Sequence, residues 1–566
     1  MGRRRRRALN TRLVLVGVVM VLAWGGVAYR LVQLQGFQSE EFAAQGLDQR
    51  LRRETLAADR GTIFDRAGRE LAVTVDAVTV YANPREIGDP EVTARLLAPL
   101  LNMDPETLRE RLDQDKGFVY VARQLERDTA GRVRRAELPG IYLLDEPKRV
   151  YPVGGLTAQV IGFVRTTDNR GIEGLEFQYD EALSGRPGEL LVERDPFGRT
   201  IPQGNHSVVP AEPGSDLVLT IQTEIQHSAH KALAAALDRT GARSGSVIVI
   251  VPEVGEILAM VNLPSFDPNN RGRADPDTFR NRAVTDVFEP GSTQKLITVA
   301  AALEAGVVEP TTPFDIPPKL KRHDTMYTDF TRHPDRLTVA EIVAYSSNVG
   351  TILVGDEMDA TTLHDFMSVF GQGRSTGIDY PGEAAGILHP AWEWCETTCG
   401  ASTAIGYRVS VTALQMAMVY ATIANDGVWV QPHLVKEIVD GQGGRRPMEL
   451  RTRRVVSAET AAQMRLMLEG VVDSGTGRFA RVDGYRVGGK TGTTKKYLEE
   501  QGVYGDEVVA SFIGMAPVDD PRVVVVIVLD APQNEGSDTG GSGAAPVFAE
   551  VVFAALHQLG IPPDGS

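Results

Sequence analysis

The sequence contains few cysteines, histidines and lysines. Two cysteines in 566 residues exclude a disulfide framework and a cysteine-rich zinc module. The nine histidines form no His-Glu-x-x-His pattern, so we predict neither a metal nor another cofactor. Only ten of the 59 basic residues are lysine, and a lysine within a motif is therefore harder to explain by chance. The hydrophobic fraction of 42% and the charged fraction of 23% argue against a disordered chain and a polytopic membrane protein.

The charges are unevenly distributed along the chain. Six arginines and no acidic residue fall within residues 1–12, although the whole chain has a formal net charge of −15. Affinity for a phosphate backbone rests on cationic side chains, so the acidic body predicts no nucleic-acid partner. The run from Arg3 to Arg7 alone could mark a nuclear or nucleic-acid tag, but an apolar segment follows it directly.

That apolar segment, residues 13–29, contains no charged side chain. As a helix it would extend about 25 Å, which is at the short end for crossing a membrane. Because arginines that precede a span stay in the cytoplasm, we predict a single-pass anchor over residues 13–34, with everything after it outside. The alternatives are a buried helix of a soluble protein and a cleaved signal peptide, whose apolar region is usually about 7–15 residues long.

Cys395 and Cys399 would then lie in an oxidising compartment. Their Cys-x-x-x-Cys spacing allows a small local disulfide, which we predict to be structural rather than catalytic. Two free buried thiols are the alternative.

Hydrophobic periodicity and turn residues predict an α+β protein outside the membrane. Residues 35–215 alternate short strands and helices, and the glycines and prolines of 185–214 indicate a hinge. Strands at both ends of the following region, with helical segments between them, indicate an antiparallel sheet that is assembled from distant parts of the chain and covered by helices. The main predicted elements are helices at 91–113, 221–237 and 545–559 and strands at 71–81, 244–251, 257–262, 508–516 and 523–530.

Three short motifs occur in order along the second half of the chain. They are Ser292-Thr293-Gln294-Lys295, Ser346-Ser347-Asn348 and Lys490-Thr491-Gly492. Together they form the set that is typical of penicillin-binding proteins and class A β-lactamases.

Ser292 is the predicted nucleophile. It follows a Pro-Gly pair and precedes an apolar helical run, which places it near a helix N-terminus, with Lys295 one turn later on the same face. A hydroxyl is a weak nucleophile and needs a base within reach, and a lysine can serve if burial and nearby positive charge lower its pKa. Ser228 also precedes a lysine by three residues, but it lies inside the predicted helix 221–237, where its hydroxyl would bond to the preceding turn.

The other two motifs are weak when each is taken alone. Ser346 and Asn348 lie between predicted helices at 339–345 and 349–356, where a helix cap is the commoner explanation. Lys490 follows two glycines at a predicted strand edge, and glycines allow close backbone approach to a ligand; the alternative is a surface turn with a solvated lysine. The order and combination of the three motifs favour the catalytic interpretation.

These motifs and several further segments resemble the class B penicillin-binding proteins over nearly the whole chain. Residues 30–35 (RLVQLQ), after the anchor, are similar to the division-type, FtsI-like subgroup. The other matching segments are 60–66 (RGTIFDR), 171–176 (GIEGLE), 288–292 (FEPGS), 475–477 (GTG) and 489–493 (GKTGT).

The resemblance implies a peptidoglycan D,D-transpeptidase. Ser292 would attack the D-Ala-D-Ala carbonyl of a stem peptide, and a side-chain amine on a neighbouring strand would then take the acyl group. Lys295 would act as the general base, Ser346 would relay a proton to the leaving amine, and Asn348 would orient Lys295 and the substrate.

The third motif would bind the substrate. Lys490 and the hydroxyls of Thr491 and Thr493, which flank Gly492, would bind the substrate carboxylate. The backbone N–H groups of Ser292 and Thr493 would form the oxyanion hole. β-Lactams resemble the D-Ala-D-Ala end of the stem peptide and would acylate Ser292.

The resemblance also implies the domain organisation and the partners. By this resemblance an elongated pedestal of the dimerisation type would contact a membrane-embedded SEDS glycosyltransferase and other division proteins. No glycosyltransferase domain fits between residues 30 and 216, so the partner would polymerise the glycan. The protein would lie in the bacterial cytoplasmic membrane at the division septum, with its catalytic domain outside. The expected parts are a cytoplasmic tail, 1–12, the anchor, 13–34, the pedestal, 35–215, the transpeptidase domain, 216–560, and a tail, 561–566.

Several alternatives remain open. An elongation-type class B protein would share all of these features. A β-lactamase or a β-lactam-sensing receptor shares the three motifs, although β-lactamases usually lack the pedestal and a sensor would need further membrane helices. A non-catalytic division scaffold would keep only the fold, and the intact Ser292, Lys295, Asn348 and Lys490 argue against it.

Overall fold

The computed structural model describes residues 2–38, 40, 51–56, 58–193, 206–498 and 501–564, with only the backbone for residues 2–10, 52–54 and 206. The side chains of Arg3 to Arg7, residues 194–205 of the predicted hinge and the last two residues therefore lie outside the described part. The chain divides into two compact units, one from Met1–Asp59 and Gly185–Pro213, the other from Arg60–Ser184 and Gly214–Ser566. The predicted domain boundaries at residues 35 and 216 stay a prediction.

The first unit contains a long N-terminal helix and a small sheet. The helix Gly2–Val32 continues as a π-helical turn, Gln33–Phe37. Within it, Thr11–Phe37 is long and apolar enough to cross a membrane, with a mean hydropathy of 1.9, and the predicted anchor lies inside this range. The sheet is antiparallel, and its strands in order are Leu51–Leu56, Gly188–Glu193 and His206–Val209.

The second unit begins with a mixed region of short helices and strands. The predicted strand at 71–81 is confirmed as Glu70–Ala82. The strands of this region are Ile63–Phe64, Glu70–Ala82, Val119–Leu125, Ile141–Val150, Phe163–Val164 and Gly171–Glu173, and its helices are Pro90–Leu101, Pro105–Leu112, Arg127–Arg135, Ala158–Ile161, Gly174–Gln178 and Asp180–Ser184.

The prediction of one helix over 91–113 is wrong, because the structure has two. Asn102 ends the first helix in the left-handed conformation, with φ at 52°. Asp104 then begins the second, where its side chain accepts a hydrogen bond from the backbone N–H of Thr107. Left-handed asparagine and an aspartate N-cap are ordinary stop and start signals, and the run of leucines masked them.

Two of the segments that carry the family resemblance meet in a buried ion-pair network. Glu176, which is fully buried, accepts hydrogen bonds at 2.7 Å from both Arg60 and Arg149. Arg60 also donates to Asp180 at 2.7 Å. Removal of any one partner would leave a buried charge uncompensated, so the network holds residues 60–66 against 171–180.

A five-stranded antiparallel sheet forms the centre of the C-terminal region, as predicted. We label its strands β1 (Ser244–Ile250), β2 (Ile257–Leu263), β3 (Gly488–Leu498), β4 (Val503–Ala516) and β5 (Val523–Asp530). The strand order is β2-β1-β5-β4-β3, which leaves β3 at one edge.

Helices cover both faces of this sheet. Side chains on both faces are therefore buried, which explains why its strands are continuous apolar runs in the sequence. In β1, Val247 and Val249 belong to one core cluster, whereas Ile248 and Ile250 belong to another. Alternate side chains of a strand point to opposite faces, so each face has its own core. The first core includes helices α1 (Thr223–Thr240) and α8 (Ala545–Gln558), and the second includes α2 (Lys295–Glu304), α3 (Val339–Tyr345), α4 (Asn348–Asp356), α5 (Ala360–Phe370), α6 (Ala413–Ala424) and α7 (Ala458–Asp473).

Shorter elements connect these helices. Asp216–Leu219 pairs with Ile63–Phe64 and with Val435–Val439, which joins the N-terminal part of this unit to the C-terminal part in one mixed sheet. The remaining short helices are Arg282–Thr285 and Cys399–Ala404, and the remaining short strands are Val287–Phe288, Pro313–Asp315, Leu320–Arg322, Thr325–Tyr327, Arg336–Thr338, Ile387–Leu388, Val409–Thr412, Val428–Val430, Arg445–Pro447 and Thr452–Arg454.

Candidate active site

Ser292 lies in a single 3-10 turn, Gly291–Gln294, that leads into α2. Gly291 has a φ of 52°, and a Cβ atom on it would meet the hydroxyl oxygen of Thr494 at 2.1 Å. Glycine therefore permits both the left-handed turn and the close contact of this segment with β3. The side chain of Ser292 is partly exposed, whereas Lys295, at the start of α2, is fully buried.

The Lys295 side chain reaches the second motif. Its Nζ donates hydrogen bonds to the backbone oxygen of Ser346 at 2.5 Å, to Oδ1 of Asn348 at 2.8 Å and to Oγ of Ser346 at 3.4 Å. These three contacts match the three donors of an ammonium group. Among the described residues, no hydrogen bond joins Lys295 to Ser292, so Lys295 would have to give up its longest contact to accept a proton from that hydroxyl.

Burial lowers the pKa of Lys295 to about 7, and the carboxylate of Asp329 opposes this shift. A buried ammonium loses its hydration, which favours the neutral amine. Lys295 is therefore neutral in a large fraction of molecules near neutral pH, and only the neutral amine can accept a proton.

Lys490 approaches Ser346 from the opposite direction. It lies on the edge strand β3, is fully buried, and donates from Nζ to Oγ of Ser346 at 2.7 Å. Burial, followed by the positive charge of Lys295, holds the pKa of Lys490 well below its usual value. Ser346 ends α3 in the left-handed conformation, with φ at 58°, and its hydroxyl thereby lies between the two lysine nitrogens.

The rest of the third motif borders the site at the sheet edge. The hydroxyl of Thr491 contacts that of Thr476 at 2.8 Å, and the exposed Thr493 accepts a hydrogen bond from the backbone N–H of Gly540 at 3.0 Å. A Cβ atom on Gly492 would meet Oγ of Ser511 at 2.4 Å and a methyl group of Thr293 at 3.1 Å. Gly492 thus allows β3 to lie directly against the segment that carries Ser292.

Two family models and many known proteins match this chain. A family model described as the penicillin-binding protein transpeptidase domain matches residues 245–552, and one described as the penicillin-binding protein dimerisation domain matches residues 55–219. The peptidoglycan D,D-transpeptidase FtsI of Escherichia coli K12 is 35% identical over 98% of this chain and 93% of its own length. The chain belongs to the class B penicillin-binding proteins.

Further members of the family extend the likeness. The probable peptidoglycan D,D-transpeptidase PenA of Neisseria meningitidis Z2491 is 34% identical over 98% of this chain and 94% of its own length. A crystal structure of penicillin-binding protein 3 from Mycobacterium tuberculosis, complexed with ampicillin, is 29% identical, with a TM-score of 0.72, and covers 91% of this chain and 98% of that one. In this class B protein an α+β transpeptidase domain follows a dimerisation domain.

Asp329 is a site residue that the sequence motifs do not reveal. Its carboxylate accepts hydrogen bonds from Oγ of Ser347 at 2.7 Å, from the backbone N–H of Val349 at 3.0 Å and from the backbone N–H of Asn348. His333 contacts the same carboxylate at 2.8 Å. A carboxylate at the N-terminus of α4 satisfies its free N–H groups, so Asp329 positions the second motif.

No local signal identifies Asp329 in the sequence, because it lies in an irregular stretch about 20 residues before its partners. Thr476, the partner of Thr491, belongs to a segment that carries the family resemblance, but its contact with the third motif was not predicted. The roles of both residues can be recognised only in the tertiary structure, where distant parts of the chain are in contact.

The remaining predicted residues behave as follows. Ser228 donates its hydroxyl hydrogen bond to the backbone oxygen of Glu224 at 3.0 Å inside α1, as predicted.

Cys395 and Cys399 are joined by a disulfide, with their Cα atoms 5.2 Å apart. Among the described residues, no group of three or more histidine, cysteine or carboxylate side chains is placed to hold a metal ion, and the absence of a cofactor stays a prediction.

Proposed function

We propose that this protein is a peptidoglycan D,D-transpeptidase that forms peptide cross-links through an acyl-enzyme at Ser292. The observation that supports this best is the hydroxyl of Ser346, which lies between the Nζ atoms of Lys295 and Lys490. Three motifs far apart in sequence thereby form one hydrogen-bonded group beside a partly exposed serine. A nucleophile, a base and a proton relay are the groups that acyl transfer needs.

Acylation would begin with neutral Lys295. It accepts the proton of the Ser292 hydroxyl as Oγ attacks the carbonyl carbon between the last two D-Ala residues of the stem peptide. The carbon–nitrogen bond then breaks, the terminal D-Ala leaves as an amine, and Ser346 passes it the proton. Asn348 holds Lys295 in place through the 2.8 Å hydrogen bond.

Transfer would follow the same path in reverse. An amine of a neighbouring stem peptide attacks the ester carbonyl, loses a proton through Ser346 and Lys295, and releases the Ser292 hydroxyl as the new peptide bond forms. The backbone N–H groups of Ser292 and Thr493 would bind the oxyanion in both steps.

The third motif would bind the carboxylate at the end of the donor peptide. Thr493 is exposed, and Thr491 lies on the same strand two residues before it, with Gly492 between them. Lys490 is buried, so it would act through its hydrogen bond to Ser346 rather than by direct contact with the carboxylate. β-Lactams, which have a carboxylate at a comparable position, would acylate Ser292.

The cellular role that we propose is septal wall synthesis. The similarity to FtsI and the apolar N-terminal helix support a membrane-anchored division enzyme with its catalytic domain outside. Its pedestal, residues 35–215, would contact a SEDS glycosyltransferase and other division proteins, and residues 216–560 would form the catalytic domain. An elongation role remains the alternative.

Intact-mass spectrometry tests the nucleophile. The protein incubated with benzylpenicillin should gain one acyl adduct, and Ser292→Ala should abolish this gain. Ser228→Ala is the matched control, because it removes a serine in the same Ser-x-x-Lys pattern from the interior of α1. Labelling that survives in the Ser292→Ala protein would refute the assignment.

The lifetime of the adduct distinguishes a transpeptidase from a β-lactamase. No motif in the chain assigns a base that activates water for deacylation, and a missing general base slows a step by roughly 10²–10⁴-fold. We expect the benzylpenicillin adduct to persist for many minutes to hours at neutral pH. Steady turnover of a chromogenic cephalosporin at several molecules per second would favour hydrolysis instead.

A further inference from the structure

A cavity whose lining includes no residue of the three motifs is lined by three arginines. It has a volume of about 410 Å³ and lies between the end of α5, the helix α6 and the strands Val428–Val430 and Thr452–Arg454. Its lining includes Arg374, Arg451 and Arg453 but no aspartate or glutamate. Arg374 and Arg451 are exposed and Arg453 is partly buried, so the guanidinium groups can be reached by a ligand from solvent.

The arginines in this cavity lack ionic partners among the described residues. No carboxylate oxygen there lies within ion-pair distance of Arg374, Arg451 or Arg453, whereas Arg486 elsewhere contacts both Glu469 and Asp519. The Nε atom of Arg453 is buried and has no hydrogen-bond partner in the described structure. A buried donor without a partner carries a free-energy cost that a bound anion would remove.

Part of this arrangement has a structural explanation. Arg453 donates to the backbone oxygen of Val369 at 3.1 Å, and Arg374 donates to that of Ser368, so both bind the carbonyl end of α5. A helix C-terminus carries only about half a negative charge, and each guanidinium has five N–H donors. The helix therefore balances a small part of the positive charge and leaves most donors free.

Trp429 orients one of these guanidinium groups. The guanidinium carbon of Arg453 lies 3.9 Å from the centre of the Trp429 ring, and the ring is buried. Stacking restricts the rotamers of Arg453, so its planar guanidinium group is already oriented before a ligand binds. Burial, followed by the charge of Arg374, lowers the pKa of Arg453 to about 10, so its guanidinium group still carries a positive charge at neutral pH.

We propose that this cavity is a binding site for a phosphate-bearing ligand, such as a diphosphate or a phosphate ester. Because three positively charged guanidinium groups line the cavity, we expect the ligand to carry at least two negative charges. A phosphate offers tetrahedrally arranged oxygens that accept N–H groups from several directions, whereas a carboxylate accepts in one plane. A volume of about 410 Å³ is within the range of small-ligand sites.

Calorimetric titration of the full-length protein in phosphatidylcholine nanodiscs with inorganic diphosphate at low salt tests the proposal. We expect saturable binding, and Arg453→Gln should weaken it by roughly ten- to a hundredfold, the loss of one charge-assisted contact. Arg454→Gln is the matched control, because the neighbouring Arg454 does not line the cavity and should leave the affinity within about twofold. Arg453→Lys should lower the affinity by an intermediate factor, since lysine keeps the positive charge but lacks the planar guanidinium group that donates two parallel hydrogen bonds.

Three results would overturn the proposal. One is the absence of binding to the wild-type protein, the second is equal weakening in both glutamine variants, and the third is citrate binding as tightly as diphosphate. Acylation of Ser292 by benzylpenicillin should be unchanged in all variants, which shows that they fold and separates this proposal from that of the transpeptidase.

A second arm of the titration identifies the source of the phosphate. Nanodiscs that contain phosphatidylglycerol would weaken diphosphate binding to the wild-type protein if a lipid headgroup occupies the cavity. Unchanged affinity would indicate a soluble phosphate compound. Weakened and unchanged affinity both support a phosphate-binding site in this cavity and differ only in the ligand that fills it.

Discussion

Two fully buried lysines lie within hydrogen-bonding distance of one hydroxyl group, that of Ser346. Burial lowers the pKa of both lysines, and the charge of Lys295 lowers that of Lys490 further. The pKa of about 7 leaves Lys295 neutral in part of the molecules near pH 7, which a base acting on a serine hydroxyl requires. The arrangement explains how a lysine can act as a base without a histidine.

The pH dependence of acylation follows from the lowered pKa of Lys295. Below a pKa of about 7 Lys295 is protonated and cannot accept the Ser292 proton, so the rate should fall as pH decreases through about 7. Stopped-flow measurement of acylation by a fluorescent penicillin from acidic to mildly alkaline pH should show this midpoint. Lys295→Arg should be inactive over the whole range because its guanidinium stays protonated. A rate independent of pH would contradict the assignment of Lys295 as the base.

Asp329→Asn should change both the rate and its pH dependence. The carboxylate of Asp329 raises the pKa of Lys295 and holds the backbone of the second motif, so its loss should shift the midpoint to lower pH. The plateau rate should fall about tenfold, since a neutral acceptor binds N–H groups more weakly.

Asp324→Asn is the matched control, because Asp324 is exposed in the turn between two short strands. It should leave both quantities unchanged. A lower plateau in Asp329→Asn without a shift of the midpoint would mean that Asp329 acts only by holding the backbone.

At the scale of elements, the active site depends on how closely β3 approaches the turn before α2. Gly492 on the strand and Gly291 on the turn both lie where a Cβ atom would overlap a neighbour. Two elements that are far apart in sequence can therefore pack with their backbones almost in contact. This contact places Lys490 beside Ser346.

Gly492→Ala should disrupt this packing. The new methyl group would overlap Ser511 and Thr293, so we expect the free energy of unfolding to fall by about 1–3 kcal/mol. The acylation rate should fall by about 10²-fold, because small displacements of reacting groups are costly.

Gly272→Ala is the control, since a Cβ atom there meets no atom within 4 Å. Thermal unfolding and acylation kinetics measure the two effects. Normal acylation in Gly492→Ala would show that β3 can move without harm to the site.

At the scale of the whole molecule, an arginine-rich segment, an apolar helix long enough to cross a membrane and an acidic body occur in that order along the chain. The positive-inside rule relates this order to a topology with the body outside. The dimerisation and transpeptidase domains that follow the helix would then act on the cell wall.

Protease treatment of spheroplasts tests this topology. We expect the protease to remove the domains and to leave only the arginine-rich end and the apolar helix protected. A cytoplasmic protein should stay intact in the same sample and serves as the control. A mature N-terminus near residue 29 would instead indicate a cleaved signal peptide. Localisation of a tagged copy in dividing cells would distinguish a septal from an elongation role.

Local sequence was sufficient to predict several helices and strands and to identify the three motifs. The antiparallel sheet was predicted because β1, β2, β4 and β5 are short apolar runs bounded by turn residues. Ser292 was predicted because it begins the Ser-x-x-Lys motif, and the Pro-Gly pair and the apolar helical run around it place it near a helix N-terminus. The two helices within 91–113 were missed because apolar periodicity outweighed the cap signals at Asn102 and Asp104.

Only the tertiary structure decided how the chemical groups are paired. Burial lowers the pKa of Lys295, and burial arises from the packing of α2 among other helices rather than from its neighbours in sequence. Asp329 and the cationic cavity around Arg453 have no local signature, because their partners come from distant segments. Local sequence determines which backbone conformations are favourable, whereas hydration and charge interactions depend on everything that surrounds a side chain in space.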